Sequence, residues 1–314
     1  MKKVISFFAG VGGIDLGFEQ AGFKVIWANE FDKHAAITYS LNFNHELLVK
    51  DIRKVELSEI PDADVLVAGF PCQAFSVAGY RKGFNDDRGN LFFELMRIIE
   101  NKKPSIVFLE NVKNLVGHDK GKTFKIINEA LQENGYYIKF KTLNSSDYGN
   151  IPQNRERIYI VAFKSESEFN KFEFPDKITL SNSINDTINH RSAVDGKYYY
   201  RPTTCSFYDQ LEEEVKDDSV YQWRRKYIRK NKSSLFPTLT ANMGMGGHNV
   251  PIIRTPEGIR KLTPLECFKV QGFPSSFVIP SNISDSQLYK QAGNSVVVPV
   301  VKRIAINIIN SIAP

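Results

Sequence analysis

The sequence is poor in cysteine and contains no long hydrophobic run. Its three cysteines, Cys72, Cys205 and Cys267, are too few and too widely spaced for a disulfide framework or a tetrahedral zinc site, so we predict no metal centre. No stretch approaches the roughly 18 uninterrupted apolar residues of a membrane span. The sequence opens on MKKV and enters a strand-like segment at once, without a signal peptide's apolar region and cleavage site. We therefore expect a cytoplasmic protein with no membrane partner.

The remaining composition is typical of a soluble globular protein. Of 314 residues, 42% are hydrophobic and 24% are charged, which is enough for one large domain or for an α/β domain with a smaller second one. The formal charge of +6 favours a polyanionic partner. It does so only weakly, because many enzymes without such a partner are equally basic.

Up to Phe163, short β-branched or aromatic runs alternate with amphipathic segments, a pattern typical of a mostly parallel sheet covered by helices on both faces. The predicted strands are Val4–Phe8, Lys24–Ala28, Leu47–Lys50, Val65–Gly69, Ile106–Glu110, Tyr137–Leu143 and Ile158–Phe163. The predicted helices are Gly13–Ala21, Lys33–Asn42, Asn90–Glu100 and Lys122–Asn134. The last two strands are close in sequence, which indicates that one of them runs antiparallel at an edge of the sheet.

The rest of the chain is less regular. A composition rich in Ser, Asn, Asp and Lys predicts a loop or linker from Ser165 to Asp195. Residues 196–255 show no long helical pattern. Near the end, the apolar run Val296–Ile312 is compatible with a strand followed by a helix.

A glycine-rich turn, Phe8-Ala9-Gly10-Val11-Gly12-Gly13, follows the first predicted strand and opens the first helix. Glycines let the backbone approach a ligand, and a helix N-terminus offers unpaired N–H groups. Glu30 lies twenty residues after Gly10, where an acid can hold ribose hydroxyls, and Asp51 ends the third strand, where it can accept from an adenine amino group. The alternative is a tight structural turn. The glycine spacing differs from the dinucleotide fingerprint, so we expect a ligand with one ribose, such as S-adenosylmethionine, rather than a pyrophosphate-bearing cofactor.

Cys72 and Glu110 are candidate catalytic residues because each follows a strand of the predicted sheet. Cys72 stands in Gly69-Phe70-Pro71-Cys72-Gln73, beyond the fourth strand, at the edge where ligands bind in open α/β sheets. A lone cysteine is more often a small buried hydrophobe, but a Pro-Cys beyond a strand is not a packing position. Glu110 closes the next strand, and a carboxylate that caps the following turn is its structural alternative.

Two arginines, Arg155 and Arg157, enter the seventh predicted strand at positions i and i+2. This spacing predicts that both side chains point to one face. Solvated surface charge is the usual interpretation of such a run, and we keep it for Asn154 and Glu156. For the two arginines we predict a place in the site.

These motifs together resemble the DNA cytosine-5 methyltransferase family over residues 1–164 and 257–314. Besides the turn at Phe8–Gly13, Asn29-Glu30 and the Pro-Cys motif, the matching segments are Glu110-Asn111-Val112, Gln153–Arg157, Arg260–Pro264 and Gln291–Val296. Two departures from the family's pattern are an apparent extra residue, Asn150, and Leu265, where arginine is frequent.

The resemblance implies a role for each matched residue. The implied catalytic residues are Cys72, Glu110, Arg155 and Arg157. The implied cofactor is S-adenosylmethionine, and the implied product is S-adenosylhomocysteine. The implied cofactor-binding residues are Phe8, Gly10, Gly12, Gly13, Glu30, Phe31, Asp51, Ile52, Pro71, Leu91, Asn294 and Val296. A loop from Gln73 to about Gly89 would close over DNA, and its implied DNA contacts are Gln73, Ser76, Arg81, Lys82 and Arg88.

The proposed chemistry accounts for the catalytic set. C5 of cytosine is a poor nucleophile, but a Cys72 thiolate that adds to C6 makes C5 enamine-like and able to attack a methyl sulfonium. A protonated Glu110 at ring N3 and an arginine near O2 stabilise the charge that builds up. The target base must be flipped out, because a thiol cannot reach C6 within a stacked duplex.

The region between the motifs is basic. Trp223–Lys232 interleaves six cations with aromatic residues. A solvated face is the usual interpretation, with pairing to the acidic stretch Glu212–Asp218, but in a DNA-acting enzyme we predict phosphate contact or base reading. The predicted DNA contacts here are Arg224, Arg225, Thr238 and Gly246, the third within a Thr-Leu segment that resembles the family's recognition region.

We therefore predict an α/β fold: a Rossmann-like, S-adenosylmethionine-dependent methyltransferase sheet with a smaller, irregular, mostly β target-recognition domain. The expected divisions are a catalytic domain at 1–180, target recognition at 181–256, a hinge or small domain at 257–284 and a C-terminal return at 285–314. The expected activity is sequence-specific methylation of cytosine C5 in double-stranded DNA by a monomer, with a restriction endonuclease as a functional partner only. The alternatives are a tRNA cytosine-5 methyltransferase and a catalytically inactive DNA-binding protein.

Overall fold

The computed structural model describes residues 1–71, 91–190, 193–231, 233–244 and 250–313. The chain divides into two compact units. The first comprises Met1–Leu143, Glu156–Asp176 and Val300–Pro314, and the second comprises Asn144–Arg155 and Lys177–Pro299. The predicted domain boundaries stay predictions. In the structure, residues 144–155 belong to the second unit, and most of the last helix belongs to the first unit.

A seven-stranded sheet forms the first unit. Its strands are β1 Lys3–Phe7, β2 Lys24–Glu30, β3 Glu46–Val49, β4 Val65–Gly69, β5 Ile106–Val112, β6 Tyr137–Asn144 and β8 Glu156–Phe163. The strand order is β3-β2-β1-β4-β5-β8-β6. Its helices are α1 Gly13–Gln20, α2 Lys33–Ser40, α3 Leu91–Lys102, α4 Lys122–Glu133 and α6 Glu166–Lys171, together with most of α11 Val298–Ser311. Short 3₁₀ turns lie at Ile52–Lys54, Leu57–Glu59, Lys113–Leu115 and His118–Gly121.

The central strands are parallel and are buried on both faces by the helices that connect them, which is why their sequences are almost continuously apolar. Residues 65–68 of β4 are fully buried, and β4 pairs in parallel with both β1 and β5. β8 runs antiparallel to β5, so the prediction of one antiparallel strand is confirmed, although β6 rather than β8 is at the edge. The parallel order places the ends of β1, β2, β4 and β5 at one edge of the sheet.

Helices pack on this sheet through apolar faces. Leu95 and Ile98 of α3 and Ile127 of α4 are fully buried in the principal core cluster. Helix α1 packs closely on α11, because a Cβ added at Gly17 would lie only 2.7 Å from Cγ1 of Val301. Residue 17 therefore has to be glycine for these two helices to approach.

The second unit holds two small sheets. Strands β9 Tyr221–Trp223, β10 Ile228–Lys230, β12 Ile252–Thr255 and β13 Gly258–Lys261 form a sheet of order β10-β9-β12-β13, and β7 Gln153–Asn154 pairs with β11 Phe236–Pro237. Its short helices are α5 Ser145–Tyr148, α7 Ile184–Thr187, α8 Tyr208–Glu214, α9 Pro264–Val270 and α10 Asp285–Asn294, with a 3₁₀ turn at Gly196–Tyr198. The predicted α/β fold with a smaller, mostly β module is confirmed.

The prediction of a strand within Val296–Ile312 is wrong, since α11 begins at Val298 and no strand precedes it among the described residues of that run. By length and composition, Asp285–Ser311 also passes for a membrane span. Most of its apolar window is buried inside the protein, as in the core helix of a soluble protein.

Candidate active site

The predicted cofactor turn leaves β1 through left-handed backbone. Phe8, Gly10 and Gly12 have φ angles of 52°, 57° and 82°, and Gly12 is the N-cap of α1. A Cβ at Gly12 would lie 2.1 Å from Cε2 of Phe43, whereas a Cβ at Gly10 would meet no atom within 4 Å. Gly12 is therefore required by packing, and the open space over Gly10 leaves its backbone accessible to a ligand.

Glu30 lies beneath this turn at the end of β2 and is 6% exposed. Its Oε2 accepts from the N–H of Gly10 at 2.7 Å, and its Oε1 accepts from the N–H groups of Phe31 and Asp32 at 2.9 and 2.7 Å. Burial raises the pKa of the Glu30 carboxyl above its usual value, and these three donors oppose that shift. The carboxylate is thus held rigidly, with lone pairs left for a ligand's hydroxyl groups.

Other predicted cofactor residues of the first unit surround this edge of the sheet. Phe31 is 68% exposed, which is unusual for a large apolar side chain and leaves its ring available for stacking. The Asp51 carboxylate accepts from the guanidinium of Arg53, which holds the pKa of Asp51 below its usual range. Ile52 is buried, and Leu91, half-buried, begins α3.

Asn29, to which the sequence analysis gives no role, stabilises this edge of the sheet. Its Nδ2 donates to the carbonyl oxygens of Leu48 and Lys50 at 2.9 and 2.8 Å, so the end of β3 is fixed against β2. The Asn-Glu dipeptide is a motif of the sequence, and the pairing of β2 with β3 brings its asparagine to these two carbonyl groups.

Glu110 and Arg157 form an ion pair at the carboxyl end of β5. The Arg157 Nε lies 3.2 Å from Glu110 Oε1, with side chains 15% and 11% exposed. The register of β5 and β8 brings these two side chains close together, because Glu110 pairs with Tyr159 and Val112 pairs with Arg157. Glu110 also pairs with Gly69 of β4, the residue three positions before Cys72. The structure thus brings these two predicted catalytic residues together.

The segment leading to Cys72 is anchored by Asn111, which had no assigned role. The buried Asn111 Nδ2 donates to the carbonyl oxygen of Phe70 at 2.8 Å. This bond fixes the chain immediately before Pro71, which is exposed. Cys72 lies outside the described residues, as do five predicted DNA contacts of the following loop and one in the second unit: Gln73, Ser76, Arg81, Lys82, Arg88 and Gly246.

Arg155 does not continue strand β8 with Arg157, because it lies between β7 and β8 and belongs to the second unit. It is 2% exposed, and its guanidinium donates to the carbonyl oxygens of Leu239, at 2.7 Å, Gly293 and Ser295. These contacts give Arg155 a structural role that ties the Thr-Leu segment to the end of α10. Its catalytic role stays a prediction.

Nearby residues complete this support. The Gln153 side chain donates to the Val270 carbonyl at 2.8 Å and accepts from the Leu239 N–H at 3.2 Å, and Thr238 donates to the Asn154 carbonyl at 2.6 Å. Of the two C-terminal residues predicted to close the cofactor pocket, Asn294 is exposed and Val296 is 4% exposed. Both lie in the second unit.

The apparent extra residue Asn150 holds a neighbouring loop through hydrogen bonds. Its backbone adopts φ 52°. Its side-chain oxygen accepts from the N–H groups of Ser181 and Asn182 at 2.8 and 3.1 Å. It therefore fixes the loop before α7.

The basic segment of the second unit is a β-hairpin. Strands β9 and β10 pair antiparallel, and the turn between them carries Arg224 and Arg225, both exposed. Arg225 has a φ of 66°, where most side chains are disfavoured. The predicted pairing with the acidic stretch is confirmed for Lys230, which binds Asp217, and Glu212 binds Arg254 outside the basic run.

A buried polar chain lies behind the cofactor turn. The Tyr39 hydroxyl donates to Oδ2 of Asp15 at 2.6 Å and also contacts Nε2 of His45 at 2.6 Å. Asp15 is fully buried, which raises its pKa from 3.8 to about 6, although the Tyr39 hydroxyl opposes the shift. The ionised form of Asp15 therefore costs the folded protein free energy.

We expect Asp15→Asn to remove the part of the pH dependence of the free energy of unfolding that Asp15 causes. Because the folded pKa of Asp15 exceeds the unfolded one, the wild type loses stability as pH rises from about 4 to above 6. The free energy of unfolding of the variant minus that of the wild type should therefore increase by about 2–3 kcal/mol between pH 4 and 7. Denaturant titrations at several pH values measure this difference, with exposed Asp209→Asn as control. A difference that stays constant would contradict the prediction.

Comparison with known proteins identifies the family. A family model described as C-5 cytosine-specific DNA methylase matches residues 2–310. The chain is 59% identical over 314 residues to the type II methyltransferase M.Bsp6I of Bacillus sp. (strain RFL6), covering 99% of each sequence. It is 41% identical to M.SsoII of Shigella sonnei, covering 99% of this chain and 80% of the relative. A solved structure of a Spodoptera frugiperda DNMT2 mutant is similar in fold, with a TM-score of 0.76, 20% identity, and coverage of 98% of this chain and 100% of that one.

The chain therefore belongs to the C-5 cytosine-specific DNA methylase family, as its motifs predict. It is a type II DNA (cytosine-5)-methyltransferase of a restriction-modification system, and DNA is its substrate.

Proposed function

We propose that this enzyme transfers the methyl group of S-adenosylmethionine to C5 of a flipped-out cytosine in double-stranded DNA, through a covalent bond between Cys72 and C6. The observation that carries the proposal is the Glu110–Arg157 pair at the end of β5, one strand from the Gly69-Phe70-Pro71-Cys72 segment. A carboxyl and a guanidinium side by side match the adjacent N3 and O2 positions of the cytosine ring.

The cofactor site fits S-adenosylmethionine. Glu30 offers a fixed carboxylate for the ribose hydroxyls, Gly10 leaves open backbone above it, and the exposed Phe31 offers a face for the adenine. Asp51 shares its carboxylate with Arg53, so an adenine amino group has to use the remaining lone pairs. When bound, the cofactor supplies a methyl group on a sulfonium.

The protein's own residues carry the steps on the base. In the complex with the flipped base, Glu110 is protonated; the Cys72 thiolate adds to C6 while Glu110 delivers its proton to N3, and Arg157 stabilises charge at O2. C5 then takes the methyl group, and a base removes the C5 proton as the S–C6 bond breaks. N3 returns its proton to Glu110, and the thiolate and neutral methylated cytosine are released.

The hairpin of the second unit and the Thr238 segment recognise the DNA, through phosphate contacts from Arg224 and Arg225. The enzyme works as a cytoplasmic monomer, and the restriction endonuclease is its partner in function without binding it. No step requires a second copy of the chain.

Label transfer tests the proposal. Wild-type protein incubated with methyl-labelled S-adenosylmethionine should label mixed-sequence duplex DNA and leave tRNA unlabelled. Bisulfite sequencing should place the product at cytosine C5 in one short sequence. Labelled tRNA with unlabelled DNA would establish the tRNA alternative, and tight DNA binding without any label transfer would establish an inactive binding protein.

A further inference from the structure

A polar cleft of about 620 Å³ opens beside the β9–β10 hairpin. Eight of the nine described residues that line it offer hydrogen-bonding side chains, among them Gln222, Arg224, Arg229 and Lys230. No carboxylate is among the described residues that line it. A cleft with cations and amides but no acid matches the acceptor-rich edges of DNA bases and the adjoining phosphates.

Arg229 and Gln222 form a directly opposed pair in the hairpin register. The Arg229 Nη2 donates to the Gln222 Oε1 at 2.5 Å. Because side chains alternate along a strand, Tyr221 and Ile228 point the other way, into the hydrophobic core of the second unit. That core fixes the hairpin, so the Arg229–Gln222 pair is presented towards the cleft.

Gln222 gives Arg229 a defined orientation. Gln222 is 3% exposed, so its amide has little freedom to move. Lys230 is neutralised by Asp217, whereas no described carboxylate pairs with Arg224 or Arg229. A guanidinium held by an amide oxygen keeps its full charge and most of its donors, which is the arrangement that reads guanine O6 and N7.

We propose that Arg229, oriented by Gln222, reads one guanine of the recognised sequence through its O6 and N7 atoms. Gln222 is then a positioning residue and not itself a reader of adenine, because adenine recognition needs the amide oxygen that Arg229 already engages. Arg224, without such an anchor, contacts phosphate. This inference rests on the proposed function.

Replacement of guanine by 7-deazaguanine, which lacks N7 but pairs normally, tests the inference. Once bisulfite sequencing has given the recognised sequence, each guanine in a duplex is replaced in turn and initial rates of label transfer are compared. The wild type should lose about tenfold to a hundredfold at the guanine that Arg229 reads. Arg229→Met, which removes the donors, should reduce that loss to within about twofold and leave discrimination at the other guanines unchanged.

Gln222 variants test the positioning role. Gln222→Leu removes the acceptor and should weaken discrimination at the same guanine, whereas Gln222→Asn keeps a neutral amide oxygen and should weaken it less. A merely structural role would lower all rates together without changing this ratio. Lys125→Ala, an exposed cation on α4 of the first unit, controls for lost positive charge.

Three outcomes would overturn the inference. Full discrimination at every guanine in Arg229→Met would exclude a reading role, and so would an equal loss at all guanines, which would indicate phosphate contact only. Unchanged ratios in Gln222→Leu would exclude positioning. Thermal unfolding checks that each variant is folded, and Arg229→Gln replaces Arg229→Met if the latter is not. Failure of the wild type to label DNA would instead overturn the proposed function.

Discussion

We expect Cys72→Ala to lower the rate of methyl transfer by about four to six orders of magnitude, to the background level. Without the thiolate, C6 receives no nucleophile and C5 stays too electron-poor to attack a methyl group. The other parts of the site remain, so the variant should still bind S-adenosylmethionine and duplex DNA. Initial rates of label transfer measure the loss.

A matched cysteine variant separates chemistry from packing. Cys205 is buried among apolar residues of the second unit, and Cys205→Ala should keep the wild-type rate within a few-fold. DNA that carries 5-fluorocytosine gives a second readout, because fluorine cannot leave C5 as a proton does. The wild type should remain covalently attached to such DNA and Cys72→Ala should not. A Cys72→Ala rate above about 1% of wild type would show that another group attacks C6.

Glu110→Gln is expected to lower kcat by about a hundredfold to a thousandfold, the second largest effect. The amide matches the carboxyl in size, but it cannot deliver a proton to N3, and it breaks the ion pair with Arg157. Arg157 then faces the base without the partner that orients it. The affinity for S-adenosylmethionine should stay unchanged, because Glu30 and the glycine turn belong to other strands. Single-turnover rates and cofactor titration separate the two quantities.

Glu94→Gln is the control for this variant. Glu94 and Arg97 form a similar partly buried ion pair, with Arg97 Nε 2.9 Å from Glu94 Oε2 on helix α3. Loss of that pair should cost stability without a comparable loss of kcat. If Glu110→Gln and Glu94→Gln lowered kcat equally, Glu110 would have a structural role and no catalytic one.

Much of the first unit could be predicted from the sequence, because buried parallel strands and amphipathic helices leave strong local patterns. The same patterns located Glu30 and Glu110 at strand ends, where the structure has them. The failure at Val296–Ile312 has a physical reason: an apolar run without alternation is compatible with a buried strand and with a core helix. This run forms helix α11, which packs against α1.

Contacts between distant segments could not be predicted. Arg155 has the spacing of a strand residue, yet its guanidinium binds the carbonyls of Leu239 and Gly293. Asn111 binds Phe70 across neighbouring strands, and the Arg229–Gln222 pair depends on a hairpin register. Each of these follows from tertiary geometry, which leaves no periodic signal in the sequence.

The contact of Gly17 with Val301 has a consequence for the order of events on the ribosome. Helix α1 is made first and α11 last, so the first unit lacks one wall of its core until nearly the whole chain has emerged. Domains made early normally fold as they emerge. The packing of the catalytic unit is therefore completed only after the recognition hairpin has been synthesised.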